Sequence, residues 1–412
     1  MGIHKFKPPM SGRMGTLWTL APIRGAALIE YGCMGHMLYG RVFLHRAGVV
    51  DGCKLYSTHI DEADISLGDT RRLERSLEEI VRQDRPRVVF LLPSAVPAVI
   101  GTDLPALCRE LQPRYPDVRL LPLGSGGFDV DGHRGVEETL LLLAQALPVE
   151  REKTPRPTFN LIGSCADLFR FHADAQEMIR LMEGAFEMKP LCVMTSDTCV
   201  EELEQMGGAH VNLVIRREGE RAARHLQSRF RTPYCSGRPY GIQGTQRWLE
   251  RVGEVLGRAP DAAFLQAEVH RVKAQLLPSA LMFRHLLRSH PEEAALSAGG
   301  HADVVRGIVS FGCGELSLPK GDLWCDCPAM GSEDIPYLPE AQWSSAISAR
   351  PKGFLMASGE AIAWAGRDRD LQISNPDHRW RLSPYETPFV GFRGAIHLAG
   401  LWLNAALEQD EG

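Results

Sequence analysis

The sequence predicts an α/β protein of three Rossmann-like, doubly wound lobes, with mostly parallel sheets around a central cleft. Three observations lead there. Short β-type apolar runs alternate with helix-length amphipathic segments, the pattern of βαβ units. The alternation pauses at a charged, Pro-rich stretch and then restarts. The length of 412 residues, at 44% hydrophobic and 24% charged, matches two or three ordinary globular domains.

The elements follow in chain order. Asp69-Thr70 is suited to cap a helix carrying Leu73, Leu77, Ile80 and Val81 on one face. Arg87 to Leu92 reads as a buried strand stopped by Pro93, Leu104 to Leu111 as a helix, and Val118 to Leu123 as a strand before a Gly-Ser-Gly-Gly turn at 124–127. Glu150 to Pro157 (EREKTPRP) reads as a linker, which sets a first lobe at 1–150. The second lobe, 151–260, has strands at Thr158 to Ile162, Leu191 to Met194 and His210 to Ile215. Helices are expected at Ala173 to Glu183, Thr198 to Gln205 and Glu218 to Arg229. The third, 261–412, is less regular. It opens with a long helix from Asp261 to Ser289, continues with strand candidates Val304 to Ser310, Gly353 to Ala357 and Leu371 to Ser374, and closes with a helix from Gly394 to Glu408.

Composition excludes several classes of function. The formal net charge is -5 and no Lys/Arg-rich tract occurs, so nucleic acid is not an expected partner. No apolar run reaches the ~18 residues that span a bilayer. The segment Met1 to Leu20 lacks an apolar signal core, so a cytoplasmic location is expected, with the 10 cysteines reduced. No CxxC pair occurs, which argues against a zinc ribbon or a thioredoxin-like motif. A GxxxxGK[ST] loop is also missing, so ATP-driven chemistry would need another protein.

Ligands of open α/β sheets gather beyond the carboxyl ends of the strands. That rule selects the loops starting at Pro93, Gly124, Gly163, Thr195, Arg216 and Ser374. Cys165, Cys199 and Cys235 lie in or near such loops and can line a pocket, or simply be buried thiols. Cys313, Cys325 and Cys327 with Asp326 form a local group that is either a metal site or a Gly/Pro-rich loop. His59, Asp61, Glu62 and Asp64 look like a proton relay, but also like an acidic loop that caps a helix. Arg216, Arg217, His378 and Arg381 suit an anionic ligand such as the carboxylates of a tetrapyrrole, or are solvated charge.

Residues 21–36, APIRGAALIEYGCMGH, resemble the start of the nitrogenase component 1 superfamily, in which an apolar strand ends in a Gly-Cys turn whose thiolate binds an iron–sulfur cluster. Residues 56–69, the loop SAVPAVIGTD at 94–103, Phe159 to Gly163, Val211 to Val214, Thr232-Pro233-Tyr234, Pro239 to Ile242 and Thr387 to Gly394 follow in family order. The resemblance implies an oxidoreductase subunit working with a paralogous subunit or a second copy of itself, fed by a separate ATP-hydrolysing iron–sulfur protein. It also implies that Cys33 ligates a cluster of four irons or more shared with the partner, His36 standing three residues on. Other ligand positions depart from the family. A nitrogenase thiolate would fall at Ser94 or Ala95, where a serine hydroxyl can ligate or hydrogen-bond a cluster. The cysteine that anchors the molybdenum–iron cofactor is matched by Arg216, and the histidine ligand falls near Arg381. Dinitrogen reduction is therefore not expected. The alternative within the resemblance is a non-catalytic scaffold or carrier for metal-cofactor assembly.

Overall fold

A computed structural model describes residues 10–32, 34–49, 51–99, 101–124, 131–196, 198–350, 352–366, 370–374 and 387–407. The first third of the chain contains α1 (Gly12–Leu20), β1 (Ala26–Tyr31), α2 (Met34–Arg46), β2 (Lys54–Ser57), α3 (Glu62–Leu67), α4 (Arg71–Asp84), β3 (Val88–Pro93), α5 (Ala95–Val99), α6 (Leu104–Leu111), β4 (Arg119–Pro122) and α7 (Gly132–Ala146). Next come β5 (Thr158–Ser164), α8 (Phe171–Phe186), β6 (Lys189–Thr195), α9 (Val200–Gln205), β7 (Val211–Val214), α10 (Glu220–Phe230), β8 (Tyr234–Ser236) and α11 (Gly241–Leu256). The remainder is α12 (Ala262–Ser289), β9 (Leu296–Gly300), α13 (Ala302–Glu315), β10 (Lys320–Cys325), α14 (Glu340–Ala349), β11 (Phe354–Ser358), α15 (Gly359–Ala365), β12 (Leu371–Ser374) and α16 (Gly391–Leu407).

These strands form three four-stranded sheets, all parallel, with orders β2-β1-β3-β4, β6-β5-β7-β8 and β10-β9-β11-β12. The same order recurs three times. The central strands are buried on both faces, as AALIEY of β1, VVFLLP of β3 and TFNLIGS of β5 show. Parallel sheets covered by helices demand such continuous apolar runs. Residues 148–157 contain no helix or strand. Lys153 Nζ ties this segment to the second sheet through the carbonyls of Gly207 and Ala209 and the hydroxyl of Thr232.

One expected element changes type. Val304 to Ser310 lies in helix α13, not in a strand. The buried residues 304, 305, 308, 311 and 312 follow the helical period, and the His301 side chain caps the first turn by accepting from Asp303 N–H. The β-branched valines suggested a strand, but packing periodicity overrides propensity. The acidic run also resolves. Asp61 caps α3 in a capping box with Asp64, and Gly68 closes the helix at φ 62°.

Helix α1 crosses α7 at unusually short range. A Cβ on Gly15 would lie 2.0 Å from the Gly132 carbonyl oxygen, and one on Gly135 would lie 1.9 Å from that of Gly12. Only glycine permits this backbone-to-backbone contact. Thr139 Oγ1 donates to Thr16 Oγ1 across the crossing, and Arg13 of α1 pairs with buried Glu30 of β1. Among the described residues no helix is long and apolar enough to cross a membrane.

Candidate functional site at the junction of the lobes

In each sheet the chain leaves the two central strands in opposite directions, which opens a crevice at their carboxyl ends. The three crevices lie at β1/β3, β5/β7 and β9/β11.

In the first, Gly32 follows β1 and Ser94 follows β3. Gly32 N–H donates to Thr58 Oγ1 at 3.0 Å, and its carbonyl accepts from Ile60 N–H. A Cβ at position 32 would lie 2.1 Å from Ser94 Oγ, so the two strand ends meet only because residue 32 is glycine. Ser94 is fully buried, and its hydroxyl has no hydrogen-bond partner among the described residues. A buried polar atom of this kind calls for a ligand or a water. Cys33, the next residue after Gly32, lies outside the described residues, as do His378 and Arg381, and the side chain of His36 is not described.

The other two crevices meet at a buried ionic network. Arg216, two residues past β7, is fully enclosed. Its Nη1 and Nη2 donate to Asp167 Oδ1 and Oδ2 at 2.7 and 2.8 Å. Its Nε and Nη2 donate to Glu218 Oε2 and Oε1 at 3.0 and 2.8 Å. Asp167 comes from the loop after β5, so Arg216 bridges both sides of the second crevice. Glu218 then reaches the other lobes: its Oε1 lies 2.7 Å from Nδ1 of His133 in α7 and 3.0 Å from Nε2 of His301, which directly follows β9. His133 Nε2 lies 3.2 Å from Oδ1 of Asp326, which follows β10. Each lobe therefore supplies part of one network.

The electrostatics follow from these partners. Burial alone would lower the His133 pKa, but the charge of Asp326 and the hydrogen bonds to Asp326 and Glu218 outweigh it and carry the value to about 10. With a carboxylate at each nitrogen, His133 holds both ring protons. Burial would raise the Glu218 carboxyl, yet Arg216, with His301 and His133, holds it well below the usual range. His301 Nδ1 accepts from Asp303 N–H, so the hydrogen-bond pattern assigns the proton to Nε2, facing Glu218. The network can hold a proton between the lobes. His133, Glu218 and His301 also present ligand atoms within 4.8 Å of one another, a spacing that suits a metal ion, but the Arg216 guanidinium stands on Glu218 where that positive charge would be.

Sequence reasoning selected the loop at Arg216 and missed its partners. Glu218 stands only two residues further on, and His301 directly follows the Gly299-Gly300 pair that ends β9. No local pattern marks His133. Arg217 pairs instead with Asp303 of α13. Cys165 is enclosed behind Thr195, and burial pushes its thiol up to about 12. Cys199 begins α9, and Cys235 is buried in β8. Cys325 donates to the Cys327 carbonyl and Cys327 to Asp131, and burial raises both thiols, Cys327 to about 12. Among the described residues no cysteine belongs to a group spaced to hold a metal.

Three parallel four-stranded sheets of one strand order, with two of their crevices meeting at one ionic network, define a nitrogenase-like α/β fold, and comparison makes the assignment specific. Residues 11–311 match the model of the nitrogenase component 1 type oxidoreductases. The chain belongs to that family. It is similar to NifE of Clostridium pasteurianum, a nitrogenase iron-molybdenum cofactor biosynthesis protein, at 22% identity over 72% of this chain and 64% of that one. It is also similar to one subunit of the light-independent protochlorophyllide reductase of Heliobacterium modesticaldum, at 29% identity over 48% and 38%. The chain thus spans less than two thirds of the length of either relative. The solved structure of nitrogenase Cp1 at pH 6.5 has the same fold, with a TM-score of 0.76 at 15% identity over 100% of this chain and 95% of that one.

Proposed function

We propose that the chain is a subunit of a nitrogenase-like, ATP-dependent reductase. In this reading Cys33 helps to hold an iron–sulfur cluster, of four irons and four sulfides or larger, at an interface with a paralogous subunit or a second copy. Electrons come from a separate ATP-hydrolysing iron–sulfur protein, and the substrate lies in the cleft between the lobes.

The observation that carries this reading is the buried Ser94 hydroxyl, unpartnered among the described residues, against Gly32 at the turn leading into Cys33. A thiol supplied by Cys33, the next residue in sequence, would together with this hydroxyl suit the edge of a cluster, the serine as ligand or as donor to a sulfide. They are too few to hold four irons, so a second chain must complete the set. When bound, such a cluster supplies one-electron transfer. The chain's own residues would do the rest: Gly32 lets the backbone approach closely, Ser94 orients, and His133 holds a proton at the inner end of the cleft.

A second reading, a scaffold for cofactor assembly, is favoured by the similarity to NifE proteins. Arg216 weighs against it, because a fully paired guanidinium stands where the resemblance would put a cargo-anchoring thiolate.

The test is anaerobic purification of the full chain with its co-expressed partner, followed by iron and sulfide analysis and EPR of wild type and Cys33→Ala. The reading expects iron and sulfide in stoichiometric amounts, a reducible cluster signal, and loss of both in Cys33→Ala. An iron-free wild-type complex refutes it. A metal cofactor that transfers to an acceptor protein, without turnover, selects the scaffold.

A further inference from the structure

A second polar cluster lies apart from the ionic network, where the N-termini of three long helices meet. Pro239, just before α11, accepts from Gly391 N–H at the start of α16, at 2.9 Å. Asp174, in the first turn of α8, accepts from Phe389 N–H at 2.7 Å and receives Nη2 of Arg238. The positive ends of α8, α11 and α16 therefore converge.

Two arginines are added to this positive region. Arg238 lies two residues past β8, and its side chain is 4% exposed. Its Nε and Nη1 are buried without a hydrogen-bond partner among the described residues. Arg170, at the start of α8, donates through Nη1 to Thr387, while its Nε is buried and likewise unpartnered. Its guanidinium lies 5.0 Å from the centre of the Phe389 ring, whose backbone N–H is the one held by Asp174. The hydroxyl of Tyr240, at the start of α11, and Nε2 of His397, on α16, are also buried and unpartnered among the described residues. Glu177 is already shared by Arg180 and Arg393, leaving Asp174 as the carboxylate that faces Arg238.

A guanidinium deprived of water and of partners at two of its nitrogens is costly, and each unpaired donor calls for an acceptor. Three helix N-termini and two arginines select an anionic acceptor. The cluster stands beyond the carboxyl ends of β5 and β8, on the side of the sheet where ligands of such folds bind. We propose that Arg238 and Arg170, with Tyr240, form an oxyanion site that takes a carboxylate or phosphate group, either as a free small anion or as the acidic group of a larger ligand. The site rests on these donors alone and holds whether the chain is a reductase subunit or a scaffold.

The test uses the full chain at constant ionic strength, titrated with inorganic phosphate and with succinate and followed by thermal shift and isothermal calorimetry. The proposal expects saturable binding of at least one probe, weakened at least tenfold in Arg238→Met and in Arg170→Met but unchanged in Arg393→Met. Arg170→Met keeps the test open if Arg238→Met does not fold. Tight succinate binding with weak phosphate binding would point to the carboxylate of an organic ligand, and the reverse to free phosphate or a phosphate ester. If neither probe binds saturably, or if the Arg170 and Arg238 variants bind as wild type does, the proposal is overturned.

Discussion

Replacing Arg216 with methionine tests the central network. The guanidinium makes four hydrogen bonds of 2.7 to 3.0 Å to Asp167 and Glu218, and its side chain has no exposed area. Methionine fills most of the volume but leaves two carboxylates facing each other out of water. Glu218 keeps His133 and His301, whereas Asp167 loses both of its bonds to Arg216. Removing one partner of a buried ion pair costs about 3–5 kcal/mol. With a urea slope of ~3 kcal/mol/M, that moves the unfolding midpoint down by about 1–2 M. The assay is urea denaturation of wild type, Arg216→Met, and the triple variant that adds Asp167→Asn and Glu218→Gln. The triple variant should recover much of the loss, because neutral amides no longer oppose each other as charges. A midpoint for Arg216→Met within about 0.3 M of wild type would correspond to under ~1 kcal/mol on the same slope and would refute the reasoning.

Two further outcomes follow. The folded pKa of His133, about 10, stands above its ordinary value of 6.5, so its stabilising contribution is complete below pH ~6.5 and is lost as pH rises toward 10. Wild type should therefore lose urea resistance across that interval, and His133→Gln should lose less; parallel pH profiles would show that the imidazolium is not what the network stabilises. Gly32→Ala should destabilise the chain, since the new methyl would overlap Ser94 Oγ and Cβ, and Ser94→Gly should restore it; thermal melts of both single variants and the double variant measure the coupling, which a steric clash makes favourable and an additive result would rule out.

Much of the fold was legible because parallel strands must be apolar on both faces. Arg87 to Leu92 and Thr158 to Ile162 announce β3 and β5 in this way. Strands β2, β8, β9 and β10 escaped because none of them offers a long apolar run. KLYS of β2 is an edge strand with no fully buried residue, LSAGG of β9 ends in glycines, and KGDLWC of β10 begins with a lysine, a glycine and an aspartate. The strand-end rule led to Arg216 and Ser94, since it depends only on where apolar runs stop. His133 and His301 were not legible, and Asp326 stood out only as a neighbour of Cys325 and Cys327, because the three meet through the packing of separate sheets. The sequence distance from His133 to Asp326 is 193 residues, and no periodicity spans it.

The glycine crossing of α1 and α7 has a mechanical consequence. Side-chain contacts can yield by rotamer changes, but a contact made of main chain has no such slack. His133 stands between Gly132 and Gly135, so the imidazole is mounted on this main-chain contact. Through Arg13, the same short helix grips Glu30, which lies two residues before Gly32. The strand end that leads into Cys33 and the His133 ring are therefore joined through a helix nine residues long.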